Sequence, residues 1–139
     1  MFLLDTNVLS AMMAADPAPS VAAWLSARPA TSLFTTSISQ AEILSGLAIL
    51  PNGRRRTVLE AAAGAMFQED FERRVLPFDE AAASHYADLF ATRRRAGRPS
   101  ATMDLMIAAI ARAHRASLVT RNVTDFDGCG VAVVDPWRD

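Results

Sequence analysis

The sequence predicts a single α/β domain over residues 1–139, with a short central parallel sheet flanked by helices. Three observations carry this expectation. Short apolar runs alternate with longer helical patterns along the chain. Each run is too short and too apolar to show one wet face, which suits strands covered on both sides. No repeat, low-complexity tract or linker divides the chain.

Phe2–Leu4 reads as the first strand. Thr6 or Asn7 then caps a short helix through Met13, because their side chains can accept from free N–H groups of a first turn. Asp16-Pro17-Ala18-Pro19-Ser20 breaks that helix. Ser20 caps the next, which carries Val21, Trp24 and Leu25 on one face. Leu33–Thr36 is a second strand, β-branched at its end. Ser37 or Ser39 opens the helix SISQAEILSGLAIL, and Pro51-Asn52-Gly53 turns the chain.

From Arg54 to about Glu72 the pattern is helical. Val75–Phe78 is a short strand, and Asp79 or Glu80 starts a helix to about Arg95. Gly97-Arg98-Pro99-Ser100 ends it. Met103, Met106, Ile107, Ile110 and His114 recur at helical spacing, so Ala101–Arg115 is an amphipathic helix. Ser117–Thr120 and Val131–Val134 complete the strands.

Composition narrows the chemistry. Hydrophobic residues make up 51% and charged residues 21%, a globular balance with material for a core. Net charge is -1, so a nucleic-acid partner would have to meet a local basic surface. The one cysteine, Cys129, can form no intrachain disulfide, which suits a reduced, cytoplasmic setting. The chain lacks a run of the roughly 18 apolar residues a membrane span needs, and lacks a signal-type start. All 14 basic residues are arginine. Without lysine, P-loop, Schiff-base and Ser-Lys chemistries are excluded.

Four carboxylates stand out. In open parallel sheets, sites lie beyond the carboxyl ends of strands. Asp5 follows the first strand directly, and Thr120-Arg121-Asn122-Val123-Thr124-Asp125 follows a late one. Glu42 and Asp104 interrupt two nearly apolar helices. Each alone has an ordinary explanation: a helix cap, a dipole partner in a first turn, or a head turned to water. Together they would repel one another if they met, and a divalent cation removes that repulsion. Oxygen ligands suit Mg²⁺ or Mn²⁺. His85 and His114 lie on separate helices and do not argue for zinc.

These residues resemble the PIN-domain ribonucleases, in particular the VapC-type toxins of bacterial toxin–antitoxin pairs and their FitB-like branch. LLDTNVLS, SISQAEILSGL, MDLMIAAIA and LVTRNVTDF match the family's acidic segments in order, and LPFDEAAASHYA and VVDPW suit the branch. The resemblance covers nearly the whole chain. It implies that Asp5, Glu42 and Asp104 are core acidic residues that, with a fourth, hold Mg²⁺ or Mn²⁺. Asn122 and Asp125 compete for the fourth position, with Asp125 the better carboxylate and Asn122 a neutral ligand or water-holder. Thr6 and Asn7 would orient Asp5 or a bound water.

The activity implied is endonucleolytic RNA cleavage, leaving a 5′-phosphate and a 3′-hydroxyl. Arg121, Arg93, Arg94 and Arg98 are candidate RNA contacts, and Arg54-Arg55-Arg56 is a further basic run. The partners implied are a VapB-type antitoxin laid in an apolar groove offered by the first helix, Trp24, Leu25 and the helix pair around Pro51-Asn52-Gly53, a second copy of the chain, and operator DNA reached only through the antitoxin. Three rivals share some of these features: a metal-dependent phosphatase, a silent PIN module within a DNA-binding repressor complex, and a DNA-cleaving nuclease. Aspartyl-phosphate enzymes need a second aspartate two residues on and a lysine, and Asp5-Thr6-Asn7 supplies neither.

Overall fold

The computed structural model describes residues 1–139. Its five strands form one parallel sheet. They are β1 (Phe2–Leu4), β2 (Leu33–Thr36), β3 (Val75–Leu76), β4 (Ser117–Val119) and β5 (Val133–Val134), in the order β3-β2-β1-β4-β5. β1 is central: Leu3 pairs with Phe34 on one side and Leu118 on the other. Parallel neighbours need crossovers, and the helices supply them.

The strand alternation divides the core into two layers. Leu3 and Leu118 face one layer, built on α5 (Glu80–Arg95) and α6 (Thr102–Ala113). Leu4 and Val119 face the other, built on α1 (Thr6–Met13), α2 (Pro19–Ser26), α3 (Ser37–Ala48) and α4 (Arg54–Ala65). All four of these strand residues are wholly buried. Burying one such leucine contributes about 1.5–3 kcal/mol. In α6, Ala108, Ala109 and Ala111 are also fully buried. Their short side chains let this helix lie close against the sheet and α5.

Several boundaries differ from the sequence expectation. The cap of α1 is Asp5, whose carboxylate accepts from the Thr6 N–H; Thr6 and Asn7 lie inside the helix. α2 begins at Pro19 with no side-chain cap; Ser20, expected as the cap, lies inside the first turn, and proline suits the first helical position because the N–H it lacks would have no partner there. Thr36 caps α3 by accepting from the Ser39 N–H at 3.0 Å. The helix from Arg54 changes winding at Met66–Asp70, a π turn closed by Phe71 N–H to Met66 C=O. The wider turn brings Met66, Phe67 and Phe71 into the core together. Asp79 caps α5, accepting from the Ala82 N–H.

Candidate acidic site at the carboxyl edge of the sheet

Three strand ends feed one site. Asp5 directly follows β1, β2 runs into α3, which carries Glu42, and Thr120 directly follows β4. The Asp5 N–H donates to the Val119 carbonyl at 2.9 Å, so sheet pairing fixes the backbone of the first acid. Its side chain is then held from two sides. One oxygen accepts from the Thr6 N–H at 2.8 Å, the other from the Thr120 hydroxyl at 2.7 Å.

Thr6 faces the next acid. Its hydroxyl donates to Glu42 Oε1 at 2.8 Å, tying α1 to α3 beside Asp5. Asn7 bridges α1 to the loop after β4. Its amide nitrogen donates to Thr120 Oγ1 at 3.1 Å, and its carbonyl oxygen accepts from the Arg121 N–H at 3.2 Å. The Asn122 N–H donates to the same Thr120 oxygen at 3.1 Å. The Asn122 side chain is exposed and makes no capping bond. Asp125 is exposed on the short 3₁₀ turn Val123–Phe126.

Asp104 sits in the first turn of α6, half-buried. Burial raises its pKa from 3.8 to about 6, and the charges of Asp5, Asp125 and Glu42 each add to the shift. Asp5 is also raised, first by burial and further by Asp125, against the pull of the Thr120 and Thr6 hydrogen bonds. The fold therefore brings Asp104 within the fields of Asp5, Asp125 and Glu42, and Asp5 within that of Asp125. No three of them close into a ready-made cage. The donor set is oxygen throughout, from carboxylates with hydroxyl and amide groups behind them. That suits a hard divalent cation, which keeps some of its waters and needs few direct protein ligands.

The expected basic contacts separate into different roles. Arg93 is 7% exposed, and its guanidinium is turned inward. It donates to Ser100 Oγ at 2.8 Å, to the Asp127 carbonyl, and to the Asp125 carbonyl at 3.3 Å. Expected as an RNA contact, Arg93 instead fastens the acidic loop to α5, and its donors are spent inside the protein. Arg94 is exposed beside the Phe90 ring, and Arg98 is exposed with Asp127 at 3.9 Å. Arg121 is exposed, with its guanidinium 5.1 Å from the centre of the Trp137 ring. Trp24, expected near a partner groove, is 5% exposed, with Phe2 edge-on at 5.1 Å and Arg28 over its face.

The sequence reading missed Thr120 as a site residue. The sequence places it where a strand meets the acidic turn and gives it no role of its own, yet it is wholly buried and its oxygen joins Asp5, Asn7 and Asn122. The sequence carries only a weak signal for it, a hydroxyl residue directly between an apolar strand and the acidic loop.

A parallel α/β domain with carboxylates gathered at its carboxyl edge defines an acid-rich class of site. The PIN domain family model matches residues 2–127, and the chain belongs to that family. It is 37% identical over 138 residues to the VapC ribonuclease Y4jK of Sinorhizobium fredii, covering 99% of each chain. It is 36% identical over 139 residues to toxin FitB of Neisseria gonorrhoeae, covering 100% of each. Among solved structures, a FitAB complex bound to an IR36 DNA fragment superposes with a TM-score of 0.91 at 36% identity, covering 99% of this chain and 96% of that one.

Proposed function

We propose that this chain is a divalent-cation-dependent endoribonuclease, the toxin of a toxin–antitoxin pair. The observation that carries the reading is the position of Asp104, whose carboxylate faces the fields of Asp5, Asp125 and Glu42 at the carboxyl edge of a parallel sheet. An uncompensated cluster of this kind is costly to a fold, and it is the arrangement that binding a cation relieves. Asp5 and Asp104 would hold Mg²⁺ or Mn²⁺ directly, with Glu42 and Asp125 completing the site. When bound, the cation supplies a more acidic water as nucleophile and screens the phosphate from the carboxylates.

The chain's own residues set the geometry. Thr120 and the Thr6 N–H fix the rotamer of Asp5, and the Thr6 hydroxyl fixes Glu42. Asn7 holds the loop that carries Asn122 and Asp125 against α1. Arg121, exposed beside that loop, is placed to meet a phosphate of the RNA, and its planar fork suits that contact.

A small VapB-type antitoxin is the partner in this reading, with operator DNA reached through it. The likeness to a FitAB complex on DNA supports both parts. A cleft of about 370 Å³ opens beside Thr6 and Glu42, walled by Met13, Ile43, Leu47 and Leu59. An inhibitory segment lying there would reach the acids from an apolar bed.

The test uses the chain freed of any partner, incubated with transfer and ribosomal RNA in Mg²⁺, Mn²⁺ or EDTA, beside Asp5→Asn and Asp104→Asn. Discrete cuts that need the cation and vanish in both folded variants are expected. Full cutting by either variant, or in EDTA, would overturn the assignment.

A further inference from the structure

A second polar cleft lies at the other end of the sheet, about 400 Å³, where β4 and β5 begin. Its lining includes His85, Arg112, Arg115, Ser117 and Gly130, and no carboxylate. Neither arginine side chain has an ion pair or a hydrogen bond within the chain, whereas the Arg56, Arg74 and Arg93 side chains do. His85 Nδ1 is buried without a hydrogen-bond partner. The backbone N–H groups of Gly130, Val131 and Ala132 donate to no acceptor in the chain. Arginine and backbone donors are thus gathered here with no acceptor from the chain itself.

The backbone of Arg115 adds an independent observation. α6 ends in paired bonds, Ala116 N–H to the Ala111 carbonyl at 2.9 Å and Arg115 N–H to the Arg112 carbonyl at 3.2 Å. This ending puts one residue in the left-handed region, where glycine is usual because it carries no Cβ. Here that residue is Arg115, at φ 52. The chain keeps a strained arginine at the lip of the cleft where glycine would be cheaper. A cation placed merely to offset the helix carbonyls explains Arg112, in the last turn, but does not require Arg115 in that conformation.

We infer that this cleft, lined by Arg112, Arg115, His85 and Ser117, is a binding site for a phosphate-type oxyanion, separate from the acidic site at the far end of the sheet. Two guanidinium forks, a hydroxyl and free backbone N–H groups match a tetrahedral group carrying acceptors on every side. The phosphate belongs either to a small free compound or to the backbone of RNA.

The experiment titrates the isotope-labelled full chain with inorganic phosphate in EDTA, which keeps bridging cations out of the acidic site. Saturable NMR shifts are expected at the amides of Ser117 and Gly130 to Ala132 and at the His85 ring, while amides around Asp5 stay still. Arg115→Gly removes the cation and installs the residue the backbone prefers. It should melt at the same temperature or higher, yet bind phosphate roughly tenfold more weakly. A short single-stranded RNA forms the second arm. Shifts at the same amides at lower concentration than phosphate assign the site to RNA backbone, and shifts with phosphate alone assign it to a free compound. No shift with either ligand in folded protein, or undiminished binding by folded Arg115→Gly, would overturn the site.

Discussion

The Thr120 hydroxyl donates to Asp5 Oδ2 at 2.7 Å, joining residues 115 positions apart in the chain. The same oxygen accepts from Asn7 and Asn122, so one buried hydroxyl sets both the first acid and the start of the acidic loop. Thr120→Val keeps the shape and removes every one of these bonds. Losing such a supporting bond typically costs about 10–100-fold in activity or metal affinity. Thr120→Val should therefore cut RNA about 10–100-fold more slowly while remaining folded, and Thr120→Ser should recover most of the rate. Single-turnover cleavage with circular dichroism as the fold control checks this. A valine variant as fast as the parent would mean that Asp5 needs no such support.

Asp104 makes stability depend on pH in a direction opposite to most carboxylates. Its folded pKa of about 6 stands above the 3.8 of the open chain. Between those values the folded state binds the proton and the unfolded state does not. Stability from this group is thus full below about 3.8 and lost as pH rises through about 6. Because Asp104 is half-exposed, solvent screening reduces the effect to roughly 1 kcal/mol. In EDTA, Asp104→Asn should melt higher than the parent at pH 7, and the gap should narrow towards pH 4. Adding Mn²⁺ should raise the parent's Tm and leave the variant's nearly unchanged. Parallel melting curves across this pH range would show that the carboxylates do not strain one another.

Arg93 fastens the acidic loop, so its loss should be felt as stability. Charge-assisted hydrogen bonds contribute about 1.5–3 kcal/mol each, and one of its three goes to a hydroxyl and two to backbone carbonyls. Arg93→Met should lower unfolding free energy by roughly 2–4 kcal/mol, and Arg93→Lys should recover only part, since an ammonium cannot span the same fork. The exposed Arg94→Ala should stay within about 0.5 kcal/mol of the parent. Urea midpoints measure the difference, and hydrogen exchange should quicken over residues 122–130 in the methionine variant alone. Equal midpoints for the Arg93 and Arg94 variants would refute the fastening role.

Much of the fold was legible because its strands are short, apolar and separated by helical periods. Asp5, Glu42 and Asp104 were legible because a charge inside an apolar segment is conspicuous. Thr120 was not, since a β-branched residue ending a strand is ordinary and its role depends on a partner far away in sequence. Arg93 was hidden within a run of three arginines. Only helical phase separates it from its neighbours: Ala82, Leu89 and Arg93 are the buried positions of α5, at spacings of seven and four. The sequence leaves the cap of α1 open among Asp5, Thr6 and Asn7, and the structure gives it to Asp5, which serves both as cap and as site carboxylate. The π turn followed from packing of Met66, Phe67 and Phe71, which a regular helical period cannot express.

Arg121 offers a measurement on substrate contact that is independent of cleavage. Its backbone is pinned to Asn7 and its side chain lies beside Trp137, so the guanidinium is held near the acidic loop while remaining exposed. A phosphate contact releases counterions, and each one lost reduces the slope of log affinity against log salt by about 0.7 for a single strand. In an Asp5→Asn background, where RNA stays intact, Arg121→Ala should weaken binding several-fold at low salt and reduce that slope by about 0.7. Arg93→Met, in protein shown to be folded, removes the charge yet should leave the slope unchanged, because the Arg93 donors face inward. Fluorescence anisotropy at a series of salt concentrations reads both quantities. An unchanged slope in Arg121→Ala would place the RNA backbone elsewhere and leave Arg94 and Arg98 as the exposed cations to test next.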